Sequence, residues 1–315
     1  MKALITGGAG FLGIKLATAL SRESKWSEIV LFDRIAPVGL PEDERFTIEV
    51  GDIRDPVQVG KLVSNDMDVI YHLAAIVSAD AETNFDLGID VNLKGTHYLL
   101  EAARHSHADP IFVFASSIAV YGGDLPEVGN DQTIVTPTIS YGVQKTIGEL
   151  LVQDYSRKGF IDGRAVRLPT IVVRPGKPNK AASTFASSII REPLKGEKAI
   201  CPVSPDSRMY ILSPRKVIDG LLKAAELPSS TFGWNRRITL PGKSFSVGEM
   251  AEAVRKIGGE KAYNLIEWKL DPMIQRIVAG WMPDFKAERA AQMGFEADDS
   301  IESIITAFIE DEMDD

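Results

Sequence analysis

With 315 residues, the chain has room for one large α/β domain carrying an extra lobe, or for two domains. Its 44% hydrophobic and 25% charged content is ordinary for a globular protein. A formal net charge of −9 argues against a general nucleic-acid or anionic-membrane surface, though not against an anionic substrate in a locally basic pocket. The single cysteine, Cys201, excludes an internal disulfide and reads as a small apolar packing residue. No run of about 18 apolar residues suggests a membrane helix. No charged-then-apolar leader precedes the first strand, so a cytoplasmic location is the expectation.

Ala3–Thr6 is an apolar strand that runs into Gly7-Gly8-Ala9-Gly10-Phe11-Leu12-Gly13, and a helical pattern follows at once. Gly8, Gly10 and Gly13 satisfy G-x-G-x-x-G, while Gly7, Gly10 and Gly13 satisfy the looser G-x-x-G-x-x-G. Glycines permit a tight turn and let the backbone approach a pyrophosphate, which sits at the positive end of the next helix. A second apolar strand, Glu28–Phe32, ends at Asp33, 20 residues after Gly13. A carboxylate there accepts hydrogen bonds from the adenosine ribose hydroxyls and repels a 2′-phosphate, which favours NAD over NADP. Arg34 beside it is a residue type that accommodates such a phosphate.

Strands and helices then alternate. Phe46–Val50, Asp68–His72, Ile111–Ala115 and Arg164–Val173 read as strands. Helices are expected from Asp55-Pro56 to about Val63, over Asp90–Arg104 and over Ser140–Arg157. This predicts an α/β fold with a Rossmann-type doubly wound parallel sheet, covered on both faces, over residues 1–173. After Val173 the texture changes. A loop, Arg174–Asn179, leads to a helix over Ala182–Leu194 and a short irregular stretch, Glu197–Pro205. Amphipathic helices follow at Arg215–Glu226, Ser246–Gly258 and Ser300–Glu310, and an acidic tail closes the chain. Residues 174–315 are expected to form mainly a smaller C-terminal substrate-binding lobe, with part of 208–226 returning to the first domain.

Tyr141-Gly-Val-Gln-Lys145 carries the chemistry. Helix positions i and i+4 share a face, so the phenol and the ammonium project together. A tyrosine with a pKa near about 10 is a poor base at neutral pH. A neighbouring lysine cation and the charge of an oxidised nicotinamide favour the phenolate, the form that proton transfer to a hydride-transfer reaction needs. The motif follows a dinucleotide loop and lies one strand beyond Ser116-Ser117, which raises its specificity.

On these residues the chain resembles the extended short-chain dehydrogenases/reductases, the NAD-dependent epimerase/dehydratase family of nucleotide-sugar enzymes. The matching segments are Thr6–Gly13, Gly51-Asp52, His72-Leu-Ala-Ala75, Val91–Gly95, Ser116–Gly122 and Tyr141–Lys145. The resemblance implies NAD as cofactor, Ser117 as the catalytic serine, Tyr141 as the acid/base, and Lys145 as the residue that tunes it and holds the nicotinamide ribose. It places Gly7, Gly10, Phe11, Leu12, Gly13 and Asp33 at the cofactor. Asp52 and Ile53 flank the adenine, Leu73, Ala74 and Ala75 line the cleft, and Asn92, Leu168 and Thr170 lie nearby. The plainer readings are that His72 is a core residue, Ser116 a structural neighbour and Asn92 a hydrogen-bonded helix kink. No metal is expected, because the nicotinamide is the hydride acceptor.

Further segments, Phe85–Asn92, Arg167–Asn179 and Ser183–Pro193, are similar to the D-erythronate dehydrogenase branch of that family. That resemblance implies oxidation of a small sugar acid, D-erythronate, at C2 to 2-oxo-tetronate. A buried carboxylate needs paired cations or backbone donors. Arg174 and Arg208 are the candidates, with Asn179 and Ser183 as polar support and Ser78 facing the substrate from the loop after the cofactor strand. Where sugar-nucleotide enzymes place an acid after the arginine, this chain has Ser213-Pro214-Arg215. The competing readings are a nucleoside-diphosphate-sugar epimerase or dehydratase, and a non-catalytic NAD-sensing protein on the same fold. Family resemblance also implies a homodimer or higher homo-oligomer, paired through Asp90–Arg104 and Ser140–Arg157.

Overall fold

A computed structural model describes residues 1–176 and 182–313. The chain forms two compact units and passes between them repeatedly. The first holds Met1–Val120, Ile139–Arg167 and Ile218–Ile238; the second holds Tyr121–Thr138, Leu168–Val217 and Thr239–Asp315. This differs from a single boundary near residue 173: Tyr121–Thr138 groups with the second unit, and the return to the first runs over Ile218–Ile238.

The first unit is built on a seven-stranded sheet. Its order is Phe46–Val50, Glu28–Asp33, Lys2–Thr6, Val69–His72, Ile111–Ser117, Asp162–Leu168 and Arg237–Thr239. The four pairings from Phe46–Val50 across to Ile111–Ser117 are parallel. Strand order therefore reverses between Lys2–Thr6 and Val69–His72. At such a switch point the helices leave towards opposite faces and open a crevice beyond the carboxyl ends of the strands. The strands are apolar runs rather than alternating ones because both faces are covered: every residue of Val69–His72 is buried. The helix Phe11–Ser21 turns Gly13, Leu16, Ala17 and Leu20 inward, one face at helical spacing. Asp55 caps Pro56–Leu62 by accepting the N–H groups of Val57 and Gln58.

The second unit has its own core, including Phe185, Ile189, Met209, Ile211, Met250, Val254, Ile304 and Phe308. Around it lie a three-stranded sheet, ordered Lys243–Ser246, Arg208–Leu212, Thr170–Ile171, and two short two-stranded pairs. A capping box between Ser246 and Glu249 starts the helix Val247–Tyr263, which is interrupted at Gly259 near the expected end. No helix among the described residues is long and apolar enough to cross a membrane.

Three elements depart from the sequence reading. The expected strand Arg164–Val173 is two strands, Asp162–Leu168 and Thr170–Ile171, in different sheets. Pro169 separates them: it has no N–H to continue the ladder. The helix expected from Asp90 begins at Phe85 and passes through a π-helical stretch, Ile89–Gly95, before Thr96–Ser106. The irregular stretch after Glu197 contains Ala199–Cys201, paired in parallel with Ile266–Trp268.

The glycine loop sets the tightest packing. A Cβ on Gly13 would run into the Gly7 carbonyl and lie 2.8 Å from Gly8 Cα, whereas one on Gly10 would meet only the Gly7 carbonyl, at 3.1 Å. Gly13→Ala is therefore expected to destabilise the protein by about 1–3 kcal/mol, and Gly10→Ala by less, as read from urea denaturation midpoints.

Candidate active site

The carboxyl ends of the first unit's strands carry the candidate cofactor residues. Gly7 has a φ of 74°, and a Cβ there would lie 2.8 Å from the Ala74 nitrogen, so only glycine lets this turn sit against the next loop. The N–H groups of Gly7 and Gly8 both donate to the Phe32 carbonyl, at 2.9 and 3.1 Å, which locks the loop onto the neighbouring strand. Gly10 is the N-cap of Phe11–Ser21, and no side chain caps that helix. Its first turn, through Phe11, Leu12 and Gly13, thus offers backbone donors and a positive helix end to a pyrophosphate.

Asp33 closes the second strand. Its carboxylate accepts the N–H of Ala9 at 3.1 Å and of Arg34 at 2.6 Å, so it is held beside the loop. Asp52 pairs with Arg54 through both carboxylate oxygens, and that guanidinium holds its carboxyl below the usual range. Ile53 is buried, and Leu73 donates its N–H to the Thr6 carbonyl at 3.0 Å, which carries the pairing one residue past the strand Val69–His72; Ala74 and Ala75 follow. The uncapped helix end, the glycine-only turn and the positioned carboxylate together fit a dinucleotide.

The candidate catalytic residues lie on two elements. Ser117 ends its strand, and its Oγ accepts the N–H of Ala119 at 3.1 Å, a bond that leaves its own hydrogen unused. The helix Ser140–Arg157 carries half-buried Tyr141 and buried Lys145. Lys145 Nζ donates to the Ala115 carbonyl at 2.7 Å and sits 5.6 Å from the Tyr141 ring centre, as i, i+4 spacing requires. Burial pulls its ammonium down to about 7, against the opposing pull of Glu149.

Glu149, one turn further, is wholly buried. It accepts the Ser116 hydroxyl at 2.6 Å and two Arg167 N–H bonds at 2.8 and 2.6 Å. Close approach makes this reach possible: a Cβ on Gly148 would lie 2.6 Å from the Phe114 ring. Neither Glu149 nor Arg167 was singled out from sequence as part of the site. Glu149 stands at i+8 from Tyr141, so a carboxylate on the face of the phenol and ammonium was the available signal.

The family assignment rests on the sequence as a whole. The model of the NAD-dependent epimerase/dehydratase family matches residues 3–231. The chain belongs to this family. It is 45% identical to a D-erythronate dehydrogenase of Cupriavidus necator over 99% of this chain and 98% of that protein. A D-erythronate dehydrogenase of Haemophilus influenzae is 42% identical, over 99% and 100% respectively. Among solved structures, one described as a nucleoside-diphosphate-sugar epimerase from Agrobacterium tumefaciens superposes with a TM-score of 0.95 at 44% identity, covering 99% of this chain and 94% of that one.

In this epimerase/dehydratase chain, Asn92 lies within the π-helical stretch, and its amide is occupied. Oδ1 accepts the Ile76 N–H at 2.8 Å, and Nδ2 donates to the Ile76 carbonyl at 2.9 Å and to Gln144 Oε1 at 2.7 Å. With both amide hydrogens used, it holds the segment after Ala75. Ser78 begins the short helix Ser78–Thr83 two residues further on. Glu82 of that helix accepts the N–H of Ser140, which joins it to the start of the Tyr141 helix.

The remaining candidates belong to the second unit. Leu168 and Thr170 flank Pro169, and Thr170 pairs with Ile211. The Arg174 guanidinium donates to Ser183 Oγ at 3.1 Å, its N–H donates to Ser187 Oγ at 3.0 Å, and Arg191 holds its carbonyl. Arg208 is exposed, donates to Ser244 Oγ at 3.1 Å and to the Ser244 carbonyl at 2.9 Å, and stands 3.7 Å from Glu249. Asn179 lies outside the described residues.

Removing one partner of the Glu149–Arg167 pair strands a buried charge. Glu149→Gln is expected to lower unfolding free energy by about 3–5 kcal/mol, and combining it with Arg167→Leu to recover much of that loss. Chemical denaturation of the two variants measures both effects.

Proposed function

We propose that this chain oxidises D-erythronate at C2, with NAD, to 2-oxo-tetronate (2-dehydro-D-erythronate). The observation that carries the reading is the likeness, end to end, to two D-erythronate dehydrogenases, joined to a Ser117, Tyr141 and Lys145 set at the carboxyl ends of a dinucleotide fold. NAD, when bound, supplies the hydride acceptor.

The protein's own part is proton transfer and charge control. Tyr141, as phenolate, takes the proton of the C2 hydroxyl. Ser117 donates its free hydroxyl hydrogen to the same oxygen and stabilises the charge that develops there. A phenolate beside Lys145 favours the ammonium, and the ammonium favours the phenolate, so the two charges support each other. The Lys145 bond to the Ala115 carbonyl fixes where that cation sits. Arg174, supported by Ser183, and Arg208 are the groups we assign to the substrate carboxylate, with Ser78 facing the substrate hydroxyls.

The rival reading takes its support from the Agrobacterium tumefaciens structure described as a sugar-nucleotide epimerase. Against it stands the stretch after Arg208, where Ser213-Pro214-Arg215 replaces the usual acid. The deciding experiment is a panel of four- to six-carbon sugar acids, with UDP-glucose beside them, assayed with NAD and with NADP for absorbance of the reduced nicotinamide. Steady NADH release with D-erythronate is expected. Conversion of the sugar nucleotide without net NADH would overturn the proposal. Tyr141→Phe should reduce kcat at least about a hundredfold; turnover at the wild-type rate would remove the proposed acid/base.

We further propose a homodimer in a reducing, cytoplasmic setting. The one thiol, Cys201, is free and buried, which suits such a compartment. On the helix Ser140–Arg157, Val143 and Leu150 share a face at i, i+7 and are 42% and 52% exposed, and Phe85 is 59% exposed. Light scattering should give twice the chain mass, and Leu150→Glu should shift it to the monomer.

A further inference from the structure

His72 is fully buried at the end of its strand and takes no part in the proton transfer described above. Its Nδ1 lies 2.7 Å from Thr6 Oγ1 and its Nε2 lies 2.8 Å from Thr96 Oγ1. Hydrogen counting fixes the protons. Thr96 donates its only hydroxyl hydrogen to the Asn92 carbonyl, at 2.7 Å. Thr96 Oγ1 therefore accepts from the ring, and Nε2 carries the hydrogen. In the neutral imidazole Nδ1 is then the acceptor, and the Thr6 hydroxyl donates to it. Thr6 Oγ1 in turn receives a long contact from the Ala74 N–H, at 3.4 Å.

The result is a chain of donors running one way, from Ala74 through Thr6, His72 and Thr96 to the Asn92 carbonyl. The same Asn92 grips both backbone groups of Ile76 with its side chain. The path leaves the loop at Ala74 and returns to it at Ile76, so it ties the segment that follows the strand at two points. The surroundings suit a neutral ring. Phe112 and Phe114 pack at 6.0 and 5.7 Å from the neighbouring strand, and Lys145, on the helix Ser140–Arg157, is the charged group that acts on it. Burial and that ammonium hold the imidazole down near about 3.

We propose that His72 is a positioning residue: fixed as the Nε2–H tautomer, it ties Thr6, at the mouth of the glycine loop, to Thr96 and Asn92, and so holds Leu73–Ile76 in the conformation that receives NAD. The role towards NAD rests on the reading that Leu73–Ala75 line the cofactor; the tautomer does not.

Two measurements test it. In protein labelled with 15N-histidine, His72 should show the Nε2–H tautomer and no titration between pH 5 and 9, a range set about the usual histidine value. An Nδ1–H tautomer, or protonation of His72 in that range, would sink the proposal. Second, calorimetry of NAD binding needs no substrate. His72→Asn keeps an acceptor towards Thr6 but does not reach Thr96, and Thr96→Val removes the hydroxyl while keeping the side chain's shape. Each should weaken NAD binding and raise the NAD KM about five- to fiftyfold, the effect of one buried hydrogen bond, with kcat at saturating NAD within about threefold. Thr6→Ser, which keeps the hydroxyl, should bind as wild type. If His72→Asn does not fold, Thr96→Val carries the test. Unchanged NAD affinity in folded Thr96→Val, or a fall in kcat without a change in KM, would overturn the positioning role. Failure of the wild type to oxidise D-erythronate would overturn the substrate and leave this result standing.

Discussion

The wholly buried carboxylate of Glu149 is the interaction on which the candidate active site depends. It joins three elements: the strand Ile111–Ser117 through Ser116, the helix Ser140–Arg157 on which it lies, and the strand Asp162–Leu168 through Arg167. A charge without solvent must be fully paired, so these bonds have little freedom to shift. Ser117 is the residue after Ser116, and Lys145 stands one turn before Glu149. Fixing the pair therefore fixes the distance between the serine hydroxyl and the helix that bears the phenol. Gly148 makes the arrangement possible by letting that helix lie against Phe114.

Much of the first unit was legible in the sequence because its signals are local. Continuous apolar runs mark strands buried on both faces, the glycines announce a backbone approach, and Tyr141 and Lys145 share a face by helical geometry. Asp55-Pro56 announced its helix by capping chemistry. Pro169 was in plain view, yet the apolar run on either side outweighed it, and one strand was read where two sheets receive the chain. The strand Ala199–Cys201 was too short to carry a pattern, and its partner Ile266–Trp268 lies far along the chain.

The supporting residues were less legible for a different reason. Arg167 and Glu149 are 18 residues apart and meet only because a helix packs on a sheet. Asn92 was a candidate from the sequence, but the bonds it makes, to Ile76 and Gln144, follow from no spacing rule. The π-helical turn around it widens the helix locally and is the kind of irregularity that side-chain bonding, not propensity, maintains. In the second unit the arginine candidates rested on residue type and, for Arg208, on family position, and the structure supplies their neighbours: serines for Arg174, and Ser244 with Glu249 for Arg208.

The repeated passage of the chain between units bears on synthesis. The sheet of the first unit is completed by Arg237–Thr239, which covers Asp162–Leu168, and the long segment Leu168–Val217 of the second unit is made in between. On the ribosome, the strand Asp162–Leu168 therefore emerges as an open edge and waits for its partner while another unit's residues are being added. An uncovered strand of this kind is a template for intermolecular pairing. A stalled or truncated chain ending in that interval would be more prone to aggregate than one that extends past Arg237–Thr239.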